Sequence, residues 1–153
     1  MTRPLPVQPG LFDDGVLVDE PLGSDAVLLA RLAAGETVVV RLPGLYQPYG
    51  PLLRHLRDAG LLVRIGRGTV WGNQHRLRPG AGDQERAEVI AAYEQHLRGR
   101  ADLLARLPEL RGRALGCWCA PRSCHGDVLA RLANAAGADR IIGNVRTNRG
   151  RTR

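Results

Sequence analysis

TVVVRLPGLYQPYGPLLRHLRDAGLLVRI, residues 37–65, is the stretch whose reading decides the fold. Thr37–Leu42 is β-branched and almost continuously apolar, the mark of a strand covered on both faces. Turn residues Pro43, Gly44, Pro48 and Gly50 follow, and Pro51 then opens a helix that runs through Asp58 and stops at Gly60. Leu61–Ile65 is a second buried strand. Strand, helix and strand with short joints form a right-handed crossover, which predicts parallel pairing and an α/β sheet flanked by helices.

Upstream, Ser24 or Asp25 can cap a helix over Ala26–Ala34, closed by Gly35 in a left-handed conformation. Residues 1–23 are rich in proline, glycine and acids without a sustained period, and predict an irregular arm with a short strand at Gly15–Val18. Downstream, residues 66–82 form a long loop. Asp83 caps the longest helix, to Leu97, with Ala87, Ile90, Ala91 and Leu97 on its buried stripe. A further helix over Ala101–Leu107 ends before Pro108, and Arg113–Trp118 is a third strand. Ser123 caps the last helix, whose inner face carries Val128, Leu129, Leu132 and Ala136 and which closes at Gly137. Residues 24–139 therefore make a single small domain, and residues 140–153 a flexible basic tail.

At 153 residues the chain can bury a core without disulfides, and with 4% aromatics that core is aliphatic. No N-terminal leader pattern and no run of apolar residues long enough to span a bilayer is present, which predicts a cytoplasmic protein without membrane contact. The 3 cysteines are odd in number and crowded together, which argues against a disulfide framework. The net charge of +7 is uneven: residues 1–36 hold two arginines and six acids, residues 37–139 fifteen and nine, and residues 140–153 five and none. All 22 basic residues are arginines, which suits phosphate contacts, although GC-rich coding alone produces the same bias.

Two constellations carry chemistry. In the first, Gly116-Cys117-Trp118-Cys119-Ala120-Pro121-Arg122-Ser123-Cys124-His125-Gly126-Asp127, strand alternation points Cys117 and Cys119 one way and Trp118 the other. Cys124 falls at a helix start, where free N–H groups and the helix dipole favour an anion or a thiolate. Three readings stand beside one another. Cys117, Cys119, Cys124 and His125 supply the atom types of a zinc site, although neighbours on a helix diverge by about 100°, so Cys124 and His125 share one ion only if the helix begins later. Cys124 with His125 can instead act as nucleophile and base, with Arg122 holding an anion. Or the cysteines are small buried apolar groups at a tight strand-to-helix turn, with His125 and Asp127 as local hydrogen-bond partners.

In the second constellation, Arg64 to Arg76, glycines allow close backbone approach, Arg67 can pair with phosphate, Asn73 offers an amide and Trp71 can stack on a base. Its plain alternative is a glycine-rich turn with Trp71 plugging the core.

The two blocks together resemble a family of short bacterial and phage proteins known as domain of unknown function 4326. Ile65-Gly66-Arg67-Gly68 and Trp71-Gly72-Asn73 match its first block; Leu115-Gly116-Cys117-Trp118-Cys119-Ala120-Pro121 and Cys124-His125-Gly126-Asp127-Val128-Leu129 match its second. Gln74-His75 departs from the Pro-Phe that the family tends to carry. The resemblance, over roughly residues 61–135, implies an α/β domain, phage or mobile-DNA contexts, no settled activity, and two blocks that meet in space.

The expectation is one pocket between loop 66–82 and turn 117–127 that binds a nucleotide or nucleobase. Arg67, Trp71, Asn73, Arg122 and Asp127 would contact the ligand, and Cys124 and His125 would carry any chemistry. The alternatives are a nucleic-acid-binding module with a structural zinc, and a phage or host accessory protein that binds another protein.

Overall fold

Burial decides which strand lies in the middle. The computed structural model describes residues 25–147, and side-chain surroundings within residues 25–136. In it β1 (Val38–Arg41), β2 (Leu62–Arg64) and β3 (Ala114–Cys117) form one parallel sheet in the order β1-β3-β2. Every residue of β3 is buried, whereas β1 and β2 each end on an exposed arginine. A strand with no polar face belongs in the centre, where both edges are paired and both faces covered. Ala114 accordingly lies opposite Val38 on one side and Leu62 on the other.

The expected parallel α/β sheet is present, but its first two strands are not partners. The helix α2 (Pro51–Asp58) carries the chain across a gap one strand wide, and β3 fills that gap. The sequence of the crossover reports the parallel sense. It carries no signal for a third strand that arrives some fifty residues later and competes for both edges.

Helix α1 (Asp25–Ala33) and α2 cover one face, where Leu32, Leu53 and Leu56 close over Val38, Val40 and Leu42. Helices α3 (Asp83–Arg98), α4 (Ala101–Arg106), the 3₁₀ turn Leu107–Leu110 and α5 (His125–Thr147) cover the other. There Tyr93, Leu97, Leu103, Leu110, Leu129 and Ala133 pack around Leu115. Full burial of one such aliphatic side chain stabilises the fold by about 1.5–3 kcal/mol. Gly35 and Gly60 close their helices with φ of +86° and +70°, as their positions predict.

The helices depart from the sequence reading in three places. The buried stripe of α3 is Ile90, Tyr93 and Leu97, while Ala87 and Ala91 face solvent. Tyr93 turns inward because its hydroxyl finds a buried acceptor, so the helix is rotated from the face that alanines suggest. The chain passes Pro108 as a 3₁₀ turn, whose first residues need no N–H donor. Helix α5 continues through Gly137 to Thr147: an interior glycine costs about 1 kcal/mol relative to alanine, and Ala135, Ala136 and Ala138 flank it. The N-terminal arm, its strand at Gly15–Val18, the Ser24 cap and the end of the basic tail lie outside the described residues.

Among the described residues, Thr37 is a polar residue enclosed in the core. At 1% exposed, it donates its hydroxyl to the Leu110 carbonyl at 2.7 Å. Its own N–H and carbonyl pair with the Asn134 side chain at 2.8 and 3.1 Å. Asn134 thereby supplies the strand partner that β1 lacks just before it begins, and ties α5 to the sheet. Asn134→Ala leaves two buried backbone groups unpaired and is expected to lower the unfolding free energy by about 1–3 kcal/mol, measured by urea denaturation; Asn134→Asp, which keeps the acceptor but sets a carboxylate oxygen against the Thr37 carbonyl, should not recover the loss.

Candidate functional site

Parallel strands end on one side of a sheet, so the chain leaving β2 and the chain leaving β3 emerge together. After β2, Thr69 turns the loop back: its N–H and hydroxyl both bond the Gly66 carbonyl, at 3.0 and 2.9 Å, and Gly72 N–H then bonds the Thr69 carbonyl at 3.0 Å. The doubled turn is so tight that a Cβ on Gly72 would sit 2.7 Å from both Arg67 Cα and the Gly66 oxygen. Only glycine fits.

This turn sends Trp71 into the core rather than toward a ligand. It is 4% exposed, and its carbonyl accepts a hydrogen bond from the Tyr93 hydroxyl at 2.8 Å. The stacking surface expected at Trp71 is absent; the residue plugs the core. Asn73 beyond it accepts the His75 N–H on its side-chain oxygen at 2.9 Å, shaping the loop, and still lines the cavity below.

The second tryptophan takes the exposed place. Strand alternation stops at Cys117 where β3 ends, so Trp118 is not forced away from its neighbours. Its ring lies so close to Gly66 that a Cβ there would be 2.6 Å from Cζ3. Its indole N–H donates to the Pro43 carbonyl at 3.0 Å, and the Arg64 guanidinium sits 5.7 Å from the ring centre. Trp118 is nonetheless 39% exposed and forms part of the cavity wall.

Helix α5 begins at His125, one residue later than a Ser123 cap would start it. Cys124 is the capping residue. Its sulfur accepts the Gly126 N–H at 3.3 Å, and the Asp127 carboxylate reaches back to the Cys124 N–H at 2.8 Å. This is a capping box with a thiol in the place of a hydroxyl. Asp127 is occupied by it and does not line the cavity.

The late helix start also lets adjacent side chains converge. A sulfur from Cys117, a sulfur from Cys124 and a ring nitrogen of His125 all lie within 4.8 Å of one another, a group that can hold a metal ion. Cys119 is not part of it. The Cys124 thiol hydrogen-bonds Cys117 and draws the Cys117 thiol well below its ordinary pKa, against the opposing effect of burial. The same bond, with burial, pushes Cys124 up. Of the two thiols, Cys117 is the one favoured to ionise. Burial and the charge on Cys117 raise Cys119, which the Arg86 guanidinium partly offsets.

A cavity of about 340 Å³ opens over this group, lined by Gly66, Arg67, Asn73 and His75 from one loop and Cys117, Trp118, Cys119, Ser123, Cys124 and His125 from the other turn. The two blocks share one pocket, as expected. Arg122 stands outside it, in an exposed ion pair with Asp83 at 3.2 Å. Arg86, Val89 and Ile90 of α3 complete the wall. Arg86 was not legible as a site residue, although it lies four positions before Ile90 on the inward face of α3. Its Nη1 donates to the Ser123 carbonyl at 3.2 Å, while its buried Nε has no hydrogen-bond partner among the described residues.

Comparison with known proteins gives two matches. Residues 54–135 match the family described as Domain of unknown function (DUF4326). An uncharacterised 12.4 kDa protein from the nrdA-td intergenic region of Enterobacteria phage T4 is 38% identical over 74 residues, 47% of this chain and 67% of the phage protein. No solved structure matches.

Gly72→Ala forces backbone atoms apart beneath the cavity and is expected to lower the unfolding free energy by about 1–3 kcal/mol, read by chemical denaturation; Gly68→Ala, where an added Cβ meets nothing within 4 Å, should be close to neutral.

Proposed function

The chain belongs to the DUF4326 family, and on that footing we propose that its cavity binds a small anionic ligand of the nucleotide class. The observation that carries this reading is one cavity lined together by Arg86, Arg67, Trp118 and Asn73. Arginine N–H groups match phosphate oxygens, an exposed indole face matches a base, and an amide can read a base edge. At about 340 Å³ the cavity falls at the small end of ligand pockets, which favours a mononucleotide or nucleoside over a larger cofactor.

A polynucleotide is the weaker fit despite the net charge of +7. Eight of the described arginines, Arg31, Arg57, Arg78, Arg98, Arg100, Arg106, Arg122 and Arg131, are each engaged with a carboxylate, which lowers their contribution to a basic face. Among the described residues no helix is long and apolar enough to cross a membrane, so nothing in them points to a bilayer ligand.

The two tryptophans provide the test. Trp71 is buried outside the cavity and Trp118 lines it, so a ligand stacking in the cavity should quench Trp118 emission alone. Titration of the full chain with a panel of nucleoside mono- and diphosphates is expected to give saturable quenching that disappears in Trp118→Phe. Arg86→Met keeps the apolar stem and removes the donor; it should weaken binding by at least tenfold. Unchanged affinity in Arg86→Met, or no quenching across the panel at millimolar concentration, would overturn the reading.

A further inference from the structure

We propose that Cys117, Cys124 and His125 bind one thiophilic divalent metal ion, zinc in the first instance, through three protein ligands, with the fourth coordination position open to the cavity. The inference stands on the cavity floor and is independent of which ligand fills the space above it.

The geometry supports three ligands. Their ligating atoms lie within 4.8 Å of one another, and sulfur ligands of a tetrahedral zinc stand roughly 3.8 Å apart. The difference is about one ångström. Cys117 is delivered by the end of the central strand, while Cys124 and His125 come from the start of α5. The backbone around Cys124 is already fixed by the Asp127 and Gly126 bonds.

His125 is oriented for this task. Its Nε2 lies 2.8 Å from the Ile65 carbonyl oxygen. A carbonyl only accepts, so Nε2 is the donor in that bond and Nδ1 is the nitrogen left for a metal. A ligating histidine that donates its other N–H to a backbone carbonyl is the usual second layer of a metal centre. Two buried sulfurs and a basic nitrogen exceed what packing asks of small apolar residues. Two thiolates, each having released its proton to solvent, neutralise a divalent ion, and this soft donor set selects zinc, cobalt or iron over magnesium or calcium.

Among the described residues, no fourth histidine, cysteine or carboxylate completes the set. Cys119 lies outside the group, and Asp127 is held on the Cys124 N–H. All three ligands line the cavity, so the vacant position faces a water or a donor atom of whatever binds there. Structural zinc sites are closed by four protein ligands; an open position belongs to sites that polarise a bound molecule.

The experiment uses the full chain, reduced, stripped of metal by chelation and shown folded by circular dichroism. Addition of zinc is expected to restore one ion per chain by elemental analysis. Cobalt should give the intense visible bands of a tetrahedral thiolate site, and azide should shift them by entering the open position. Cys119→Ser should retain the ion, whereas Cys117→Ser and His125→Gln should bind it at least a hundredfold more weakly. No uptake by the folded, reduced chain overturns the proposal, as does retention of tight binding in Cys117→Ser. Loss of the ion in Cys119→Ser, or cobalt bands indifferent to azide, overturns the open site in favour of a closed one. Isolation of a stable Cys117–Cys124 disulfide that persists in the presence of zinc overturns it in favour of a redox pair.

Discussion

The structure depends on one requirement: the backbone of Ala114–Cys117, wholly buried, must find hydrogen-bond partners on both edges at once. An interior N–H or C=O left unpaired costs as much as a lost hydrogen bond, so β3 can exist only between two other strands. Three strands are the fewest that provide this, and among the described residues the sheet has three. Leu115 then sits at the middle of the molecule with helices above and below. The side chain at the end of the strand, Cys117, is carried to the point where β2 also ends.

From that placement the site follows in steps. The loop after β2 must double back at Gly72 because the backbone of Gly66 and Arg67 occupies the space beside it. Doubling back drives Trp71 under the cavity, where Tyr93 bonds its carbonyl, and that bond sets the rotation of α3. The rotation in turn brings Arg86 to the cavity wall. On the opposite side, Trp118 closes over Gly66 and anchors to the Pro43 carbonyl, joining the ends of all three strands. A single packing chain therefore connects the sheet order to the residues that face a ligand.

The start of α5 couples stability to chemistry. A serine at the cap would satisfy the first turn equally well, yet the residue there is Cys124, whose sulfur accepts from Gly126 and lies within 4.8 Å of the Cys117 sulfur. The cap therefore places a thiol beside the end of β3 at the same time as it begins the helix. His125, the first helical residue, is turned by the Ile65 carbonyl toward the same point.

The sequence by itself determined the three strands, the places of the helices and the parallel sense, because these follow from local periodicity, turn chemistry and short connections; the meeting of the two motif blocks came from the family resemblance. Thr37–Leu42, Leu61–Ile65 and the Gly35 and Gly60 stops are legible one segment at a time. What only the tertiary structure decided are the relations among distant segments. These include β3 between β1 and β2, the choice of Trp118 over Trp71 for the cavity wall, the inward turn of Arg86 and Tyr93, and the separation of Cys119 from Cys117, Cys124 and His125. Each turns on which groups compete for the same buried space or the same backbone partner. That competition has no period in the chain, since its members lie far apart in sequence.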